Sequence, residues 1–239
     1  MEADKIAENL KKIKEDIYES EIKAGREKGS VKLCAVSKFH PEESVRFAMN
    51  AGQFLFGENR VQEAYAKFTS INETADVKPE LHIIGSLQTN KVKKAVEIAS
   101  CIQSVDRISL AEEIQKQCEK LSKKINVFLE IHTGEESKSG FASEDEVMKT
   151  AEMFASGKFP LLTLSGLMTM APFTNDERAV RSSFVTLRNL REKLNVRFPS
   201  LSVTELSMGM SGDFKLAVEE GSTMVRIGTA IFGERDYNA

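Results

Sequence analysis

The chain reads as an α/β protein, a single (β/α)8 TIM barrel over residues 1–239 with an extra helix before its first strand. Three features lead there. Eight apolar segments of strand length alternate with helical patterns from end to end. Strands that alternate with helices pair in parallel, and eight such units close a barrel. The residues just beyond those segments are polar and glycine-rich, which suits the end of a barrel where working groups collect. The last strand leaves little chain for a helix behind it, whereas a surplus amphipathic helix stands at the front. An open doubly wound sheet is the competing arrangement for the same alternation.

The front helix carries Ile6, Leu10, Ile13 and Ile17 on one face, and it is expected to pack beside the last strand and fill the gap in the outer ring. Strands are expected at 31–36, 54–57, 81–84, 102–105, 125–131, 163–168, 202–208 and 224–227. After the first, Pro41 in an opening turn, the acids Glu42 and Glu43, and Gly52 as a stop delimit a helix. Ala111, Ile114, Cys118 and Leu121 recur at helical spacing. Ser143 with Glu146 makes a capping box, and Gly157 ends that helix. Asn175 is expected to cap a longer helix with the buried stripe Val180, Phe184, Leu187, Leu190 and Leu194. With no repeat, low-complexity tract or linker, one domain is expected.

Charged residues make up 29% of the chain and hydrophobic ones 41%, ordinary for a globular protein. A formal net charge of -3 gives no basis for a nucleic-acid or membrane partner. No apolar run approaches the roughly 20 residues that span a bilayer. The first residues are charged throughout and lack an apolar signal core, so the cytoplasm is the expected compartment. Cys34, Cys101 and Cys118 show neither paired nor metal-type spacing and are expected as reduced core residues. No surplus apolar face stands out, which favours a monomer.

The chemistry is expected at the carboxyl ends of the strands. Lys38 follows the first; a lysine there, desolvated and therefore less basic, can act as an amine nucleophile and form a Schiff base with an aldehyde. Gly228 and Thr229 follow the last strand in a turn whose bare amides can hold a phosphate, and the loop from Ser207 to Gly212 follows the seventh. The pair points to a phosphorylated aldehyde held at both ends. Arg226, at the end of the last strand, would donate to a ring nitrogen if the ligand is a pyridine; a salt bridge on the rim is its competing role. Asn59 is placed either to reach ring substituents or to cap the next helix.

Of the histidines, His82 is expected in the barrel core and His40 at a helix start, which leaves His132 as the one set for the mouth. Three histidines on separate strands do not make a metal site. Lys138, in the polar loop after the fifth strand, reads as a lid residue or a solvated turn. Lys91, Lys93 and Lys94 read as a solvated helix face.

The stretches 35–38 (AVSK), 56–63 (FGENRVQE), 82–91 (HIIGSLQTNK), 206–213 (LSMGMSGD) and 221–233 (GSTMVRIGTAIFG) occur in the order, and with the wording, of one family. From about residue 31 onward the chain resembles the pyridoxal phosphate homeostasis protein family. The resemblance implies a barrel like the amino-terminal domain of alanine racemase, with pyridoxal 5′-phosphate (PLP) attached to Lys38 as a Schiff base. By motif position it implies Ser207, Gly228 and Thr229 on the phosphate and Arg226 facing the pyridine nitrogen. It also implies a cytosolic carrier or regulator of PLP without established catalysis, acting on vitamin B6 and amino-acid pools, with apo PLP-dependent enzymes as recipients. Two departures stand out. Phe39-His40-Pro41 replaces the Thr-Lys-Pro of many members, removing a second lysine, and the wording just before Lys138 differs.

Three functions fit Lys38 and the phosphate turns. A PLP-binding protein without strong catalysis of its own is favoured. The expected barrel exhausts the chain, no tyrosine among Tyr18, Tyr65 and Tyr237 falls at a strand end as an opposing base, and Arg226 at the ring nitrogen weakens the electron sink. The alternative is a PLP-dependent, racemase-like enzyme acting on amino acids. A Schiff-base aldolase of sugar phosphates ranks last, since Glu58 and Asp106 are the only obvious acid/base carboxylates.

Overall fold

Each apolar run forms a strand because both of its faces are buried, one inside the barrel and one against helices. The computed structural model describes residues 2–134 and 139–234. Its strands are β1 (Lys32–Val36), β2 (Leu55–Glu58), β3 (Glu80–Ile83), β4 (Cys101–Val105), β5 (Ile125–Glu130), β6 (Leu162–Met168), β7 (Glu205–Ser207) and β8 (Met224–Ile227). They close a parallel barrel in sequence order, β8 pairing back on β1 with Lys32 opposite Met224 and Cys34 opposite Arg226. The helices around it are α1 (Glu2–Lys23), α2 (Glu42–Asn50), α3 (Val61–Thr74), α4 (Val92–Ile98), α5 (Ile108–Leu121), α6 (Glu144–Ala155), α7 (Glu177–Arg197), α8 (Phe214–Glu219) and α9 (Thr229–Phe232).

The expected (β/α)8 barrel with an additional front helix is therefore the observed fold. Helices α8 and α9 are only 6 and 4 residues long, and α1 lies in the room they leave, against α2, α8 and α9. Its face of Ile6, Leu10, Ile13 and Ile17 is buried, and Asn9 Nδ2 donates to the Ile231 carbonyl at 2.9 Å. At the end of α1, the buried Glu21 carboxylate accepts from the amides of Gly29 (2.8 Å) and Val31 (2.6 Å), steering the chain into β1. No described helix is long and apolar enough to cross a membrane.

Several boundaries moved for local reasons. β7 begins at Glu205 because residues 199–201 make a 3₁₀ turn that ends on Ser202 in the left-handed region, φ 51°. Asp176, not Asn175, caps α7: its carboxylate accepts from the Arg178 amide at 2.9 Å. Pro41 sits at the cap of α2, one place before the helix. The Ser143 cap and the stop at Gly157 stand, and the α7 stripe of Val180, Phe184, Leu187, Leu190 and Leu194 is buried. The cysteines are buried free thiols, and desolvation pushes the Cys34 thiol up to about 12.

Candidate functional site

A cleft of about 420 Å³ opens at the carboxyl ends of the strands, between the loops after β1, β2, β6, β7 and β8. Lys38, Asn59, Arg226, Gly228 and Thr229 all line it, so five residues from three separated segments of sequence meet at one place. The meeting follows from the β1–β8 pairing, which sets the turn after β1 beside the turn after β8. Asn59 lies against the turn after β3: a Cβ added to Gly85 would come within 2.6 Å of the Asn59 carbonyl oxygen, so only glycine permits this approach. Its side-chain Oδ1 is buried with no hydrogen-bond partner, an acceptor aimed at a donor that the protein does not supply.

Arg226 forms the floor. Its Nη1 donates to the Ser207 carbonyl (2.7 Å) and Ser207 Oγ (2.8 Å), and Nη2 donates to the Thr169 carbonyl (2.8 Å). It is a buried cation held mainly by neutral acceptors, and desolvation lowers its pKa while Cys34, Glu130 and Asp213 act against that. Below it a hydrogen-bonded chain descends the barrel: Ser207 Oγ donates to Gln103 Oε1 (2.6 Å), Gln103 Nε2 faces His82 Nδ1 (2.6 Å), and His82 Nε2 faces Glu80 Oε1 (2.9 Å). His82 is thus a satisfied core histidine, as expected.

Ser207 departs from expectation. It is fully buried beneath Arg226 and does not line the cleft, because β7 ends on it one layer below the mouth. Ser211 and Gly212, four and five residues on, line the cleft in its place. The loop reaches them through Gly209, whose φ of 96° and lack of room beside Ala217 Cβ (2.6 Å from an added Cβ) demand glycine.

The other candidates separate cleanly. His132 lines a different cavity of about 360 Å³, with residues of α6 and α7, whereas His40 lines the cleft and packs on the Phe232 ring at 5.2 Å. Glu58 and Asp106 do not face the cleft: Glu58 is paired with Lys67 behind β2, and Asp106 with Arg107 at 2.5 Å. Asp213 is the one carboxylate in the described lining, and it accepts from the Met210 amide. No described tyrosine lines it; Tyr18 and Tyr65 lie under Lys28 and Lys94 elsewhere. Among the described residues no cluster of His, Cys, Asp or Glu could hold a metal ion. Lys138 and Tyr237 lie outside the described residues. The end of the sixth strand, Met168 to Met170, was expected at the mouth, but not the loop beyond it; Met170 and residues 172–175 line the cleft, with Phe173 almost fully exposed.

The family model for the alanine racemase N-terminal domain matches residues 2–236. A pyridoxal phosphate homeostasis protein of Vibrio alginolyticus is 41% identical over 98% of this chain and 99% of its own. The chain belongs to the pyridoxal phosphate homeostasis protein family. A second relative of that name, from Aquifex aeolicus, is 41% identical over 96% of this chain and 98% of its own. Among solved structures, PipY of Synechococcus elongatus with PLP bound superposes with a TM-score of 0.83 at 35% identity, covering 95% of this chain and 100% of PipY. An alanine racemase of Clostridium difficile shares the fold, TM-score 0.73 at 16% identity, over 99% of this chain and 57% of its own.

One acid in the barrel yields a prediction. Glu130, at the end of β5, is buried; its Oε1 accepts from Ser139 Oγ at 2.7 Å and its Oε2 has no partner. Burial, with Asp106 adding, pushes its pKa up. A raised carboxyl pKa means that the folded state prefers the proton. The stability so gained is full below the ordinary carboxylate range and is lost as pH rises through the raised value. Glu130→Gln removes that titration. Urea unfolding between pH 4.5 and 8 is expected to show wild type losing on the order of 1 kcal/mol more than the variant. Parallel profiles would contradict it.

Proposed function

We propose that this protein binds PLP at the barrel mouth, holds it covalently on Lys38 and releases it to other proteins, with no strong catalysis of its own. The observation that carries this reading is the β1–β8 seam, which sets Lys38 and the Gly228–Thr229 turn in one cleft above Arg226. PipY with PLP bound, a structure alike over its whole length, supports it. When bound, PLP supplies an aldehyde carbon to which an amine adds with loss of one water and no change of oxidation state.

The residues present fit that group. Lys38 provides the primary amine. Gly228, Thr229, Ser211 and Gly212 offer amides and hydroxyls to a phosphate, and the first amides of α9 have no carbonyl within the helix to satisfy them. The orphaned Asn59 Oδ1 would accept from a ring hydroxyl. Arg226, donor only, would oppose protonation of a ring nitrogen set against it, which would leave the ring a weak electron sink. That, with the lack of a tyrosine in the described lining, supports the non-catalytic reading over a racemase.

The carrier acts as a single-domain monomer in the cytoplasm, and its recipients are apo PLP-dependent enzymes. Protein incubated with PLP, dialysed and reduced with borohydride is expected to carry the added mass on the peptide containing Lys38, and to show no racemisation of alanine. The mass on another residue, or racemisation at an enzyme-like rate, would overturn the reading.

A further inference from the structure

Behind β2, away from the cleft, Glu58, Lys67 and Glu63 form an ion cluster that the proposed binding chemistry does not use. Lys67 is 7% exposed and Glu58 fully buried. Each Lys67 ammonium hydrogen has its own acceptor: Glu58 Oε1 (2.8 Å), Glu63 Oε1 (3.2 Å) and the Ser37 carbonyl (2.9 Å). Glu58 Oε1 also accepts from Ser37 Oγ at 2.7 Å, and Glu63 Oε1 accepts from the Phe39 amide at 2.6 Å. Every bond that the cluster makes to backbone therefore falls on Ser37 or Phe39, the two neighbours of Lys38.

The backbone at this place needs holding. Phe39 has a φ of 64°, in the left-handed region that a bulky side chain rarely adopts. Its ring is also covered, with the Arg60 guanidinium 4.5 Å from the centroid. A buried ion pair is weak evidence of stabilisation, because desolvation offsets its attraction, but it confers geometric uniqueness where it grips a particular conformation. Strain of this kind persists only where the surroundings over-determine it, and it collects at functional sites. Here the strained turn carries Lys38 into the cleft, with His40 beside it.

We propose that Glu58, Lys67 and Glu63 are positioning residues for Lys38: they clamp the turn on both sides so that its amine meets the ligand's aldehyde in the geometry for capture. The inference rests on the reading of Lys38 as the capturing amine. It does not alter which groups hold the phosphate or the ring, and that separation makes it testable.

The experiment compares two ligands, PLP and 4-deoxypyridoxine 5′-phosphate, which keeps ring and phosphate but has no aldehyde. In Lys67→Met, affinity for PLP is expected to fall about tenfold or more, the scale of a misplaced reacting group, while affinity for the deoxy analogue stays within about twofold. Adding Phe39→Gly, which adopts a positive φ without strain, is expected to recover part of the loss. If Lys67→Met does not fold, Glu63→Met, which removes the acceptor for the Phe39 amide and one of the three partners of Lys67, is read in the same way with a loss of about threefold. Equal weakening of both ligands, or no change for PLP, would overturn the clamp. A wild-type protein that binds neither ligand would instead sink the reading on which the clamp rests.

Discussion

Replacing Lys38 by alanine leaves a folded protein that no longer retains PLP through dialysis. The side chain is half-buried at the cleft, and the turn that carries it is gripped on both sides, at Ser37 and Phe39, so its loss is expected to shift stability by about 1 kcal/mol or less. Binding suffers far more, because one of two anchoring points disappears while the phosphate loops after β7 and β8 remain. An affinity loss on the order of a hundredfold, about 2.7 kcal/mol, is expected. Titration of the visible absorbance, which depends on capture, and calorimetry, which reports all binding, measure the two contributions separately. Full retention of PLP by the alanine variant would remove Lys38 from the account and leave the phosphate turns without a partner.

Arg226→Met carries the largest expected cost in stability. The substitution removes three donors at once and leaves the Ser207 carbonyl, Ser207 Oγ and the Thr169 carbonyl facing an apolar chain in a fully buried place. The Thr169 carbonyl loses its donor outright, while the Ser207 carbonyl keeps the Thr169 amide (3.1 Å) and Ser207 Oγ keeps Gln103 (2.6 Å), so each lost bond costs about 1 kcal/mol. Removing a desolvated cation gives some of this back, since no carboxylate contacts the guanidinium among the described residues. The acceptors win, because two are backbone carbonyls that cannot turn away. A net loss of about 2 kcal/mol, lowering Tm by roughly 4–8 °C for a chain of this size, is the expected result of a thermal scan. Arg226→Lys is expected to recover little, since a single ammonium cannot span Ser207 and Thr169 as the planar fork does. An unchanged Tm would mean that the floor of the cleft reorganises without strain.

The barrel was legible because it depends on period and punctuation, and both are local properties. Eight apolar runs, a proline opening, a capping serine and glycine stops are readable without knowing what touches what. The cleft was legible to the extent that strand order predicts neighbours: Lys38 and Gly228 lie far apart in sequence but on adjacent strands. Depth was not legible. Ser207 and Ser211 read alike in a polar loop, and only the end of β7 and the left-handed turn at Gly209 decide which rises to the mouth. Facing was also misread at Glu58. The strand runs one residue further than expected, so Glu58 shares the outward face of Phe56 and meets α3 instead of the cleft. The Lys67 cluster was invisible for another reason: its contacts to Ser37 join residues thirty positions apart, and nothing in either segment's pattern announces them.

The pairing of β8 with β1 has a consequence for when the site forms. On the proposed reading the amine and the anion-holding turn come from strands far apart in sequence, so the site is complete only once β8 has paired with β1. A chain truncated before β8 is then expected to fail to retain PLP.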